Sequence, residues 1–180
     1  MQLSELDYKK LVPVAFIIFI GLLAVIFYFF AQAFSSSPDN PNRLGTYSNP
    51  QYKVSFNYPG SWNQIGGYDY DRYEGTSGFF GVSGVGGIDL TLDEATKNAY
   101  SHKLLPYGQH PIIEKLKVDG QAAKLIIPSE DQPENMNNQA ELIVEYPVPI
   151  IIAGNTYKFF VLWADKDNIR SIIPTITFRE

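Results

Sequence analysis

Residues Leu11 to Phe34, LVPVAFIIFIGLLAVIFYFFAQAF, carry no charged side chain. A soluble chain of this size has no use for such a run. At ~1.5 Å per residue it makes a helix of roughly 36 Å, slightly more than a ~30 Å hydrocarbon core requires. Pro13 and Gly21 are tolerable in a helix surrounded by lipid. One N-terminal transmembrane helix over residues 11–34 is therefore expected, with a patterned polar chain behind it. Lys9 and Lys10 abut the run on its N-terminal side, while Ser35-Ser36-Ser37-Pro38-Asp39 follows it without a cation. Positive flanks stay in the cytoplasm. Residues 1–10 are thus read as a cytoplasmic tail, 35–45 as a linker opening with SSSPDNPN, and 46–180 as an extracytoplasmic domain at the cell membrane.

A cleaved signal peptide competes with that reading, because Ala31-Gln32-Ala33 has the small-x-small form of a cleavage site. The protein would then be secreted after cleavage near Ala33. Against this, the apolar run far exceeds a signal core of ~7–15 residues. Phe27-Tyr28-Phe29-Phe30 also suits an interfacial aromatic belt better than a cleavage region.

The chain has no cysteine, which excludes a lipidated cysteine, a thiolate zinc site and a cysteine nucleophile together. A domain of about 135 residues must then be stable through its core alone, which that length permits. The net charge of −5 falls entirely after Arg43. No clustered Lys and Arg are present to attract nucleic acid. Fourteen glycines and twelve prolines beside twelve Tyr and twelve Phe indicate strands joined by many turns.

Tyr52-Lys53-Val54-Ser55-Phe56-Asn57-Tyr58 alternates strictly, which predicts a half-buried strand stopped by Pro59-Gly60, with Trp62 folding back on the core. Gly66 to Gly87 reads as further strands around Arg72–Glu74 and Phe79–Ser83. Thr91-Leu92-Asp93-Glu94 is a capping box. It predicts a helix to about Leu105, with Leu92, Ala95, Ala99 and His102 on one face. Asp119-Gly120 predicts a hairpin between Ile112–Val118 and Gln121–Ile127. A second hairpin joins Glu141–Ile152 to Thr156–Ala164 through Ala153-Gly154-Asn155. Phe159–Ala164 is apolar on both faces, so it is expected as a central strand covered on both sides. Asp167 or Asn168 is expected to cap a last helical segment carrying Ile169, Ile172 and Ile173, which Pro174 shortens.

This order of segments resembles the PsbP-like family, named for an extrinsic protein of photosystem II. Tyr52-Lys53-Val54-Ser55-Phe56-Asn57-Tyr58-Pro59-Gly60-Ser61-Trp62 is similar to that family's YGFSFKYPSDW opening. Val118-Asp119-Gly120-Gln121-Ala122-Ala123 is similar to its VDG-x-A hairpin, and Thr175-Ile176-Thr177-Phe178 to its closing TF or SF. The resemblance implies an α+β fold, an antiparallel β-sheet with helices packed over it. It implies no chemistry, since a fold does not fix a function. Relatives are mostly non-catalytic binding or assembly factors, and no metal-binding or Ran-binding residue carries over.

Candidate chemistry is sparse. His102 and His110 are the only histidines, and no metal-ligand spacing accompanies them. His102 on a helix face reads as a boundary residue bonded to a neighbour, and a general-base role lacks a visible nucleophile. Ser77-Gly78 and Ser83-Gly84 do not fit a nucleophile elbow. No catalytic residue, metal site or cofactor is expected. Partner contacts are expected instead at Tyr107, Ser129, Asp131 and Gln132, on a turn and a long polar loop. Tyr68 and Tyr70 join them, since tyrosines beside acidic groups can stack on sugar rings or grip a partner loop. The chain thus reads as a membrane-anchored extracytoplasmic binding or assembly module without enzymatic activity. Its expected partner is an envelope or membrane protein, or a cell-wall ligand. A sensory ectodomain with a separate membrane partner is the alternative, and a small hydrolase using His102 is a third.

Overall fold

The computed structural model describes residues 43–87 and 89–179. The apolar run at 11–34, the tail and most of the linker lie outside the described residues. Among those described, no helix is long and apolar enough to cross a membrane.

Among the described residues, ten strands and two short α-helices follow one another: β1 (Leu44–Asn49), β2 (Val54–Pro59), β3 (Asn63–Ile65), β4 (Asp71–Gly75), β5 (Gly78–Gly86), α1 (Leu92–Tyr100), β6 (Ile112–Val118), β7 (Gln121–Ile127), β8 (Gln139–Ile152), β9 (Asn155–Asp165), α2 (Ile169–Ile172) and β10 (Thr177–Phe178). They form two antiparallel sheets. The larger has seven strands in the order β3-β4-β5-β9-β8-β7-β6, and the smaller has three in the order β1-β2-β10. The expected single sheet is therefore two sheets, and helices are a minor part of the cover. The reason lies in β2. Its apolar face, Val54 and Phe56, is fully buried against the large sheet rather than extending it.

β9 sits at the centre of the large sheet and its residues feed two cores, as its two apolar faces predict. Phe160, Leu162 and Ala164 point to the core shared with the small sheet and α2. Phe159 and Val161 point to the core under α1. The first core is organised by Phe80 of β5. Its ring lies 4.7 Å from Tyr73, 5.0 Å from Tyr58, 5.1 Å from Phe56 and 5.5 Å from Tyr47, centroid to centroid. Trp62 folds back onto the same cluster and is 2% exposed. Its indole N–H donates to Ser77 Oγ at 2.9 Å.

The first hairpin has the predicted turn, and the second is one residue tighter than expected, since Asn155 already pairs with Ile152. Asp119 and Gly120 have φ of 48° and 79°, and Ala153 and Gly154 have φ of 50° and 81°. Two successive positive φ values give the mirror-image turn whose twist matches that of paired strands. The capping box also forms, with Glu94 N donating to Thr91 Oγ1 and the Glu94 carboxylate accepting from Thr91 N. The helix it starts ends at Tyr100, not Leu105. Leu105 has a positive φ of 45°, and residues 101–111 form successive turns. His102 is consequently off the helix, exposed, and its Nδ1 accepts from Leu104 N at 3.2 Å.

The last helix, α2, has Asn168 at its N-cap position, but the Asn168 side chain makes no cap. Asp165 supplies it instead. Its Oδ1 accepts from Asn168 N at 3.0 Å, and its Oδ2 accepts from Phe79 N at 3.1 Å. One buried carboxylate thus ties β9, β5 and α2 together. Gly78 makes this fit, because its φ of 144° suits glycine and a side chain there would collide with Asp165.

Candidate functional site

Two places contain the residues expected to meet a partner, and they differ in kind. The first is the junction of residues 106–110 with the loop 128–132. Tyr107 is 2% exposed. Its hydroxyl donates to the Glu141 carboxylate inside the core under α1. It is an internal pin and presents nothing to a partner, which corrects the expectation that it forms part of a contact surface. Burial raises its hydroxyl well above the ordinary phenol range, and the Glu141 charge adds to this.

Ser129, Asp131 and Gln132 face the same junction. Ser129 N donates to Tyr107 O at 3.0 Å, and Ser129 Oγ accepts from His110 N at 3.3 Å. Both Asp131 oxygens accept from Gln109 N at 3.2 Å. The Gln132 side-chain amide donates to Pro106 O at 2.6 Å and to Gln139 O at 2.8 Å. The loop reads as polar because its side chains satisfy the backbone of a neighbouring turn, which would otherwise lack partners. Gly108 makes the close approach workable. It has φ of 78°, and a side chain there would overlap Ser129 and Asp131. A depression of about 510 Å³ lies beside the junction, lined by Tyr100, Leu105, His110 and Ile113. Among the described residues, no orphan polar group points to a ligand there.

Glu141 is the residue the sequence reading passed over. It is 4% exposed and lies opposite Trp163 in the β8–β9 register. Burial pushes its carboxyl up to about 7, and hydrogen bonds from Tyr107 and Trp163 offset part of that rise. An acidic residue inside Ala140–Val144, a segment otherwise apolar on both faces, was the available signal.

The second place is the loop between β3 and β4, residues 66–70. Tyr68 is 47% exposed, and its ring lies 5.2 Å from that of Tyr70. Both rings are held from beneath. The Arg72 guanidinium lies 5.0 Å from the Tyr68 ring centre and 4.3 Å from that of Phe79. Arg72 is 7% exposed, and its Nε donates to Glu74 Oε1 at 2.8 Å. Tyr70 packs edge-on to Trp163 at 5.3 Å and lies over Gly81, where a side chain would collide with it. A stacked guanidinium beneath an exposed ring fixes the ring's plane without covering its outer side.

Beside these tyrosines is a depression of about 330 Å³ lined by Asn49, Gln51, Gln64, Asp69 and Asp71. Asp71 accepts from Tyr47 Oη at 2.5 Å, from Asn49 Nδ2 at 2.9 Å and from Gln64 Nε2 at 3.4 Å. An aromatic face next to fixed amide and carboxylate groups is what a hydroxyl-rich ring or a polar peptide loop needs for stacking and hydrogen bonding. Tyr68 and Tyr70 are thus brought together, while Tyr107, Ser129, Asp131 and Gln132 form a separate structural knot. Among the described residues, no group of three or more His, Asp and Glu side chains stands close enough to hold a metal ion.

No family model and no curated protein matches the chain. Among solved structures, the chain is similar to the solution structure of cyanobacterial PsbP from Synechocystis sp. PCC 6803. The identity is 14%, 80% of this chain and 98% of that one are covered, and the TM-score is 0.43.

Proposed function

We propose that this protein is a membrane-anchored, extracytoplasmic binding module that works without catalysis. The observation that carries the reading is the uncharged run Leu11–Phe34 with Lys9-Lys10 on one side and the sequence of a β-rich domain on the other. The run is long enough to retain the protein in a bilayer, and the flanking charges send the domain outward. The resemblance of Tyr52–Trp62 and Val118–Ala123 to segments of PsbP-like proteins, mostly binding or assembly factors, supports a non-catalytic role. The surface we assign to the partner is the Tyr68–Tyr70 loop. Its rings are held in place and one face is left open. The partner is another envelope protein or a cell-wall ligand.

Protease added to intact spheroplasts tests the placement. A C-terminal tag after Glu180 should be lost, and a short N-terminal fragment should stay with the membrane. Full protection of the tag would overturn the orientation. A mature N-terminus at Phe34 would replace the anchor with a cleaved leader.

A further inference from the structure

The β8–β9 hairpin outruns its neighbours. β7 pairs with β8 only as far as Val144, while β8 continues to Ile152. Within the hairpin the ladder slips between Glu145↔Phe159 and Ile150↔Tyr157, so residues 146–149 face Lys158 alone. Pro147 and Pro149 cause the slip, since neither has an amide hydrogen to give the ladder. The displaced Tyr146-Pro147-Val148 segment becomes one wall of a groove of about 540 Å³, a size typical of small-molecule sites. Phe178 of β10 and Ile150 complete its apolar lining, and Lys53 and Arg179 supply two cations. These two are held together by Arg179 N donating to Lys53 O at 2.8 Å. Asp119 also lines the groove, but its Oδ2 already accepts from Phe178 N at 2.8 Å.

Tyr146 gives this groove its meaning. The residue is 4% exposed, its ring is 5.4 Å from that of Phe178, and its buried hydroxyl has no hydrogen-bond partner. Buried hydroxyls are almost always satisfied by protein, water or ligand. A phenylalanine would fill the same space without that cost. Val148, 71% exposed on the rim, adds apolar surface where a ligand would enter.

We propose that the groove binds a small amphipathic carboxylate. Its apolar body would lie against Ile150, Phe178 and the Tyr146 ring. Its head would meet Lys53 and Arg179 at the mouth, and the Tyr146 hydroxyl, closed off in the free groove, would become its donor as the Pro147–Val148 wall yields. Burial raises the Tyr146 hydroxyl above the ordinary phenol range, so it stays protonated and able to donate. Charge complementarity favours an anion, because the groove's two cations outnumber its single, already engaged carboxylate. This site is separate from the Tyr68 surface and does not depend on it.

The test uses the full chain in nanodiscs of zwitterionic lipid, with empty nanodiscs as blank. The probe is 4-phenylbutyrate, followed by ligand-observed NMR, with the neutral 4-phenylbutanamide beside it. Saturable binding above the blank is expected for the acid, with the amide weaker by about tenfold, the loss of a charge-assisted contact. Tyr146→Phe should weaken the acid by roughly three- to tenfold, the loss of one hydrogen bond, while the protein unfolds at no lower a temperature. A Lys53→Met/Arg179→Met variant, altered at the rim, should abolish the preference for the acid. Equal binding of acid and amide would overturn the proposal. So would binding unchanged in both variants, or binding no greater than to empty nanodiscs.

Discussion

Glu141→Gln should stabilise the protein at neutral pH, and the gain should vanish in acid. Glu141 is buried on the α1 side of the large sheet, with its carboxylate against Tyr107. Its folded-state carboxyl is pushed up from the ordinary 4.5 to about 7. Folding therefore favours the protonated form. The stability associated with that proton is fully present below pH ~4.5 and declines as pH rises toward 7. It is lost once the folded carboxyl ionises above about 7. The span of roughly 2.5 pH units corresponds to ~3 kcal/mol. Glutamine keeps an acceptor for the Tyr107 hydroxyl and carries no charge to desolvate. Thermal unfolding at pH 8 should therefore show the variant melting higher by several degrees, up to about 10 °C. At pH 4.5 the two proteins should melt together. The difference between them isolates Glu141 from the histidines and other carboxylates that titrate in both. A gap independent of pH would show that Glu141 is solvated and that the Tyr107 pin is absent.

Phe80→Ala should be the most damaging single change among the aromatic residues. Phe80 is fully buried, and the rings of Tyr47, Phe56, Tyr58 and Tyr73 surround it. Truncation removes the ring's transfer energy and leaves a cavity that strands on both sheets cannot close, at a cost of ~3–5 kcal/mol. It also removes aromatic pair contacts worth ~0.5–1.5 kcal/mol each, so the upper end of that range is expected. Chemical denaturation should report the loss as a lower midpoint with an unchanged slope. A cost below about 1 kcal/mol would mean that the small sheet does not pack on the large one.

What the sequence revealed was mostly local. Asp119-Gly120 and Ala153-Gly154 announce their hairpins because a two-residue turn of this hand needs positive φ at both positions. The capping box announces the start of α1 for the same reason, since its partners are three residues apart. Phe159–Ala164 announces a central strand because both faces are apolar. The second sheet was not legible. Its first strand, Leu44–Asn49, has no alternating apolar face, and its last joins through Thr177 pairing with Ser55, across most of the domain, with no local sign in either residue. The end of α1 was overestimated because Pro106 and Gly108 are the first strong stops after the capping box, yet Leu104 and Leu105 before them already lie on exposed turns.

The candidate site divides along the same line. A polar loop such as 128–139 looks the same in sequence whether it faces a partner or its own backbone. The structure gives Ser129, Asp131 and Gln132 to the turn at 106–110, so replacing them would loosen that junction rather than leave stability untouched. Tyr107 was unreadable because its partner, Glu141, lies 34 residues away. Tyr68 kept its exposure, while Tyr70 is half-buried against Trp163. The signal that they are held in place, Arg72 two to four residues on, was present in the sequence and becomes interpretable only once β4 sets its direction.

We place the partner on the Tyr68 loop and not on the 128–139 loop. Site-specific photo-crosslinking in the native membrane addresses it directly. A photoreactive phenylalanine derivative would replace Tyr68 in one full-length protein and Asp131 in another. Tyr68 should give a discrete adduct with an envelope protein or a glycan fragment, and Asp131 should give none. Adducts from Asp131 with none from Tyr68 would contradict the assignment and return the partner surface to the loop.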